Sequence, residues 1–401
     1  VRPAVFLLFA SACGFTVSGG SPADDAPSDG ASDAPTDAAL DAMIDAPIDP
    51  PIDAPVDAPS FGDVDFLPPA EEYAASGNWA IGADTTIDTS NVAGTTPPAG
   101  AELVVGLQSN GSEVAILRAR DFKVNGGKTL RVVGTRPLVI IADHDVSIDG
   151  TLDLGARTVT PGAGGSAPYG GMGVGGHGMA GGNNEDSGGG GGGFGGPGSI
   201  GGTGNNVAIG GSAGLTYAAA NIVGGSSGGG PPQLTGCTNK GGAGGGAVLI
   251  YAKNKLDVKG MINAGGGGGE PGLQCANNYR SGAGGGSGGL IYLQTPNLTG
   301  DGNLVANGGG GGGGTCSNTS GGSQNATAGA NGALNLAPGG TGRGDCGANG
   351  GSGATQAAAP TSGSQVRTNG GGGGGGLGRI IYRAPSIPGN LTSSPTAVPA
   401  P

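Results

Sequence analysis

Side chains that carry out catalysis or fill an ordinary core are scarce in this chain of 401 residues. Aromatics make up 4% of it and charged residues 11%. Only two histidines occur, His144 and His177, so a Ser-His-Asp set or a histidine-rich metal centre has little to draw on. Lys and Arg are missing altogether between residues 14 and 60, and no basic patch stands elsewhere, which disfavours nucleic acid as a partner. No stretch approaches the roughly 20 apolar residues of a spanning helix. Glycine is what the chain has instead, 97 residues alongside 28 prolines. Glycine buries no side chain and loses the most backbone entropy on folding, so a conventional core is hard to assemble from it. The glycines cluster after about residue 155 and are interrupted by short β-branched runs, a pattern that argues for a special architecture over plain disorder.

The N-terminus reads VRPAVFLLFASAC. Arg2 is a minimal basic region, Ala4 to Phe9 an apolar one, and Ala10, Ser11 and Ala12 are small, the layout of a secretory signal peptide over residues 1–13. Ala-Ser-Ala-Cys resembles the bacterial lipobox, with Ala10 where leucine is most usual. The resemblance implies that Cys13 takes a lipid with three acyl chains, and Gly14 implies sorting to the outer membrane. An ordinary signal peptide is the alternative. The expectation is an exported protein, at the outer membrane or cell surface, whose membrane partner is reached through that lipid. Residues 14–60 hold ten Asp, nine of them at every fourth position from Asp25 to Asp57 in an Asp-Ala-Pro-x repeat. Helical carboxylates at i, i+4 would repel and proline would break the turns, so this stretch is expected to be a disordered, extended spacer. A calcium role is disfavoured because isolated Asp on a flexible strand form no preformed oxygen cage. Stalk and lipobox together resemble surface lipoproteins of the myxobacterial type.

Residues 61–135 read as an N-terminal β segment packed by the single tryptophan, Trp79. Residues 136–385 read as a glycine-rich repeat domain, and 386–401 as a disordered tail. The repeat is Val146-x-Ile148-x-Gly150-x-Leu152-x-Leu154, matched by Leu256-x-Val258-x-Gly260-x-Ile262-x-Ala264 and, more weakly, by Leu298 to Ala306. Apolar runs precede each copy: Leu138–Ile141, Val248–Tyr251 and Gly289–Tyr292, with Arg379–Tyr382 closing the series. Alternating apolar residues about a central glycine predict two short strands joined at a bend. Such units must stack to bury their apolar faces. The expected fold is mainly β, a β-helix-like or β-roll strand ladder with long glycine-rich insertions. Runs such as Gly188–Gly193, Gly308–Gly314 and Gly370–Gly376 read either as flexible linker or, preferably, as polyglycine II helices that pair their backbones laterally. In composition they resemble the glycine-rich domain of the anaplastic lymphoma kinase ectodomain and the polyglycine tips of phage adhesins.

Cys237, Cys275, Cys316 and Cys346 lie in these insertions, and an even number in an exported chain suggests two disulfides among three possible pairings. Nearest neighbours in sequence favour Cys237 with Cys275 and Cys316 with Cys346. Gly176-His177-Gly178 and Arg343-Gly344-Asp345 resemble functional motifs but are cheap matches in such a sequence, and Asn184-Glu185-Asp186 is an isolated acidic spot read as a solvated loop rather than a metal site. The repeat alignment places Tyr251, Tyr292 and Tyr382 in one column, read either as packing residues or as an aromatic stripe for sugar rings, the former favoured. No catalytic, cofactor or metal residues stand out. The functional expectation is a non-enzymatic, structural or adhesin-like surface lipoprotein whose further partners are surface glycans or matrix. A carbohydrate-active lyase or hydrolase on a β-helix is the alternative, weakened by sparse carboxylates beyond residue 155.

Overall fold

A computed structural model of the chain describes residues 63–68 and 75–401, apart from 182–184, 207–208, 219, 233–238, 276–277, 317–325, 344–345 and 365–367. The expectations for the signal segment, the lipid on Cys13 and the stalk lie outside the described residues. Pro59–Pro401 forms one compact unit, so no boundary appears at 135. Among the described residues no helix is long and apolar enough to cross a membrane.

The chain is mainly β, and its strands recur in threes. The first set is β1 (Trp79–Ile81), β2 (Thr85–Asp88) and β3 (Glu102–Leu107), followed by β4 (Glu113–Ala119), β5 (Phe122–Val124) and β6 (Thr129–Val133). Next come β7 (Leu138–Ala142), β8 (Asp145–Ile148) and β9 (Thr151–Asp153), then β10 (Ala247–Ala252), β11 (Lys255–Val258) and β12 (Met261–Asn263). A small antiparallel pair, β13 (Gln274–Cys275) and β14 (Asn278–Tyr279), precedes β15 (Leu290–Gln294), β16 (Leu298–Gly300) and β17 (Asn303–Val305). The last set is β18 (Arg379–Arg383), β19 (Thr392–Ser394) and β20 (Val398–Pro399). Each set but the last sends its three strands to three different sheets, while β18 and β20 of the last set share one. The orders are β3-β4-β7-β10-β15-β18-β20 in the first sheet, β1-β5-β8-β11-β16 in the second and β2-β6-β9-β12-β17-β19 in the third. Neighbours run parallel except β3 against β4.

Alternation explains why these short segments hold together. Inward positions superpose from set to set: Val146, Leu256 and Leu298 in the second sheet, Leu130, Leu152, Ile262 and Leu304 in the third. These fill one apolar core with Leu138, Ile140, Val248, Ile250, Ile291 and Leu293 of the first sheet. The repeat read from Val146, Leu256 and Leu298 therefore stands in register. The first sheet is apolar on its other face as well, where Val139, Ile141 and Leu249 pack with Phe194 and Ile222 and with Val64 and Leu67. Burial on both sides is why its strands read as unbroken apolar runs.

The glycine-rich segments 154–246, 264–289 and 306–378 all lie at one corner, between the third sheet and the first. The preceding crossing at that corner needs only residues 134–137. The segments bond to one another through their backbones on a three-residue cycle. Gly188, Gly189 and Gly190 N–H donate to the carbonyls of Gly202, Gly282 and Gly176, at 2.8, 3.0 and 2.9 Å. Gly191, Gly192 and Gly193 then donate to Ser199, Gly285 and Gly173, at 2.8, 2.9 and 2.8 Å, returning to the same three segments in the same order. A Cβ on Gly372 would stand 1.9 Å from the Ala283 carbonyl oxygen, so this approach admits glycine alone.

The C-terminal tail corrects an expectation. Residues 386–401 were expected to be disordered, yet β19 pairs with β17 and β20 with β18. Proline masks the strand pattern there, but Leu391 is buried at the end of the core and Ser394 Oγ donates to Asn307 Oδ1 at 2.6 Å.

Candidate functional site

The three tyrosines proposed as a column do not form one. Tyr251 stands opposite Ile141 and Gln294, Tyr292 opposite Leu249 and Ile381, and Tyr382 opposite Leu293. The Ile-Tyr pairs invited an alignment that the pairing shifts by two residues at Tyr292 and by one at Tyr382. A one-residue shift turns a side chain to the opposite face, so Tyr382 packs against the inner core while Tyr251 and Tyr292 share the outer cluster. With Tyr251 and Tyr292 only 5% and 3% exposed, they are packing residues, and the three tyrosines do not make a sugar-stacking stripe.

Tyr292 instead belongs to a latch that fastens residues 63–67 to the first sheet. Its hydroxyl donates to Asp65 Oδ2 at 2.5 Å, and Arg383 forms an ion pair with the same carboxylate. Gln294 closes the latch from both sides: its Oε1 accepts from Asp65 N–H at 3.0 Å and its Nε2 donates to the Asp63 carbonyl at 2.6 Å. Phe66 meets the Tyr292 ring edge-on, with centroids 5.2 Å apart. Burial, reinforced by the adjacent Asp65 carboxylate, raises the Tyr292 phenol well above its usual range.

A second buried constellation joins the glycine-rich segments at Gly188, Gly282 and Gly370. Arg280 Nη1 donates to Asp186 Oδ2 at 2.6 Å, with both side chains almost wholly buried. Asn369 Oδ1 accepts from Asp186 N–H at 2.7 Å and its Nδ2 donates to the Thr315 carbonyl at 2.6 Å. Desolvation raises the Asp186 carboxyl, opposed by the Arg280 hydrogen bond and charge. The adjoining Cys316 stands at disulfide distance from Cys346, its nearest cysteine neighbour along the chain. Cys237 lies outside the described residues, so its pairing with Cys275 has no structural counterpart here. Sequence reading treated Asp186 as a solvated loop acid. Its partner Arg280, a long way off in sequence, gave no signal.

The two histidines part company. His177, in the Gly-His-Gly match, stacks on Tyr169 with centroids 5.1 Å apart. His144 sits half-exposed at the corner between the first and second sheets, its Nδ1 2.9 Å from Asp121 Oδ1 and 3.6 Å from Asp145 Oδ2. Among the described residues, Asp121, His144 and Asp145 are the group whose ligand atoms converge closely enough to hold a metal. Their contacts already account for one another: Asp145 N–H donates to Asp121 Oδ1 at 3.3 Å and Asn254 Nδ2 to Asp145 Oδ1 at 2.7 Å. Corner hydrogen bonding suffices as their role. Asp121 comes one set of strands before His144, a proximity that only the stacking reveals.

The chain matches no family model, no curated protein and no solved structure.

Proposed function

We propose that the chain is a non-enzymatic surface protein in which a parallel β-helix carries a rigid polyglycine II bundle outward from one corner. The observation that carries this reading is the three-residue hydrogen-bond cycle of Gly188–Gly193. A polyglycine II helix has three residues per turn, so successive N–H groups aim at three neighbours and the fourth returns to the first. Stacked strands in three sheets, each pairing with its counterpart in the next set, support the β-helix half of the reading.

The proposed role is structural or adhesin-like display, with export and a lipid on Cys13 as the route to the surface. A bundle whose outer side chains recur at fixed intervals suits repeated contact with surface glycans or matrix. The anchor is tested by Cys13→Ser, which should move the protein from the detergent phase to the aqueous phase and abolish palmitate labelling. Wild type without label would remove the anchor. The display role is tested by a glycan and cell-surface binding screen with the full chain, in which saturable turnover of a polysaccharide without retention would sink it.

A further inference from the structure

Three glycine-rich strands of chain, 171–179, 209–217 and 197–203, form an outer layer of the bundle. Gly176 N–H donates to the Ser212 carbonyl at 2.8 Å, and Gly198 and Gly201 donate to Gly214 and Gly211, both at 2.9 Å. This pairing sets Ile200 across from Ser212 and Pro197 across from Leu215. Exposed side chains recur at every third residue: Val174 and His177 on one segment, Ile209, Ser212 and Leu215 on the next, Pro197 and Ile200 on the last. Six of the most exposed large apolar residues gather here, with Leu215 at 73%, Met172 at 67% and Ile209 at 66%, joined by Ile200, Met179 and Val174.

Three features single out the occupant. The patch segments themselves carry no formal charge, because residues 171–180 and 197–217 contain no Asp, Glu, Lys or Arg in a chain of net charge −12, and Glu185, held by Asn205 and Asn206, borders them at one end. Two copies could therefore meet here without the repulsion that the rest of the chain would cause, while an anionic membrane finds no basic residue to attract it. The exposed fractions correspond to roughly 600 Å² of apolar surface, at the upper end for a monomer and approaching the ~800 Å² per partner of a standard interface. Finally, ridges spaced by three residues of polyglycine II repeat at about 9 Å with glycine-floored grooves between them. A surface with the same repeat fits those grooves, and this chain's own outer layer has it.

We infer that this face binds the same face of a second copy, ridge into groove, giving a two-fold dimer that continues the bundle's own lateral packing. The inference rests on the polyglycine II reading. In a two-fold contact the central position meets itself or its near neighbour, and Ser212 holds that position. Sedimentation of the full chain carrying Cys13→Ser, which keeps it out of micelles, should show a dimer that dissociates on dilution. Ile200→Asp with Leu215→Asp should weaken dimerisation about 100-fold or more, and should leave the melting temperature unchanged at dilutions where the native chain is itself monomeric, since both side chains are exposed in the monomer. Leu107→Asp, equally apolar and exposed but on β3, should leave the dimer intact. Ser212→Cys should give a disulfide-linked dimer on oxidation. A monomer at all concentrations, a dimer that survives the double substitution, or equal loss with Leu107→Asp overturns the inference. So does a monomer that floats with phosphatidylcholine vesicles, which would assign the patch to lipid. Hydrogen exchange of the Gly188–Gly193 amides separates the two levels. Slow exchange in a monomer sinks the dimer alone, and free exchange sinks the bundle with it.

Discussion

The strand stack and the glycine bundle solve the same problem with opposite materials. In the stack, side chains do the holding: Leu130, Leu152, Ile262 and Leu304 superpose and are fully buried, and the backbone only sets their spacing. In the bundle, backbone amides and carbonyls hold one another, and a side chain is what must be absent. The stack gains by removing apolar surface from water, about 1.5–3 kcal/mol for each large side chain. The bundle removes little apolar surface and depends on leaving no buried amide unpaired. The two regions should therefore answer substitution with opposite preferences, truncation harming one and enlargement the other.

The largest effect is expected where the bundle departs from glycine. Asp186→Asn leaves the Arg280 cation buried against a neutral amide, and breaking a buried pair in this way costs about 3–5 kcal/mol. Chemical denaturation should show that loss in the midpoint. A change below about 1 kcal/mol would mean that water reaches the pair. In the stack, Leu152→Ala removes a fully buried side chain between Leu130 and Ile262 and should cost about 2–5 kcal/mol, read from the same denaturation curves.

Legibility followed the same division. The strand repeat was readable because alternation and the central glycine at Gly150 and Gly260 fix a face and a bend, and the second and third sheets keep the register that the sequence implies. The first sheet was misaligned at Tyr292 and Tyr382. With both of its faces apolar, nothing in Leu290–Tyr292 or Ile380–Tyr382 says which residue points inward. In the bundle, composition suggested lateral backbone pairing but could not name partners, because glycine looks the same at every position. The Asp65 latch and the Asp186–Arg280 pair were hidden for a related reason. Each joins residues far apart in sequence, with a separation of 229 from the backbone of Asp65 to its acceptor Gln294.

Gly372→Ala gives a sign test of the bundle. In a flexible linker, replacing glycine by alanine is close to neutral, because the folded and unfolded chains lose similar freedom, and only at a fixed, open position does it stabilise by about 0.4–1 kcal/mol. At Gly372 the added carbon would lie 1.9 Å from a backbone oxygen, and the surrounding segments have no side chain that could give way. Overpacking of this kind costs about 1–3 kcal/mol. A melting temperature that does not fall in Gly372→Ala would return this segment to the linker reading, whereas Gly389→Ala, with open space around it, is the control expected to be neutral.

The smallest effect concerns the latch, where the stack borrows polar chemistry. Tyr292→Phe removes one hydrogen bond to Asp65 but leaves the ring, its contact with Phe66 and the Arg383 ion pair in place. At neutral pH the expected cost is about 0.5–1.5 kcal/mol. Its pH dependence is more telling. The phenol is raised in the folded protein, by burial first and by the Asp65 carboxylate second, so the folded state holds this proton more tightly than the unfolded chain does. That difference contributes stability fully below the unfolded value of about 10 and loses it as pH rises toward the folded value. The native protein should therefore weaken steadily above about pH 10, and Tyr292→Phe should weaken less over the same interval. Tyr251, also raised by burial, keeps part of the alkaline slope in the variant. Equal slopes in the two proteins would mean that Tyr292 ionises freely, and the latch would then be open in solution.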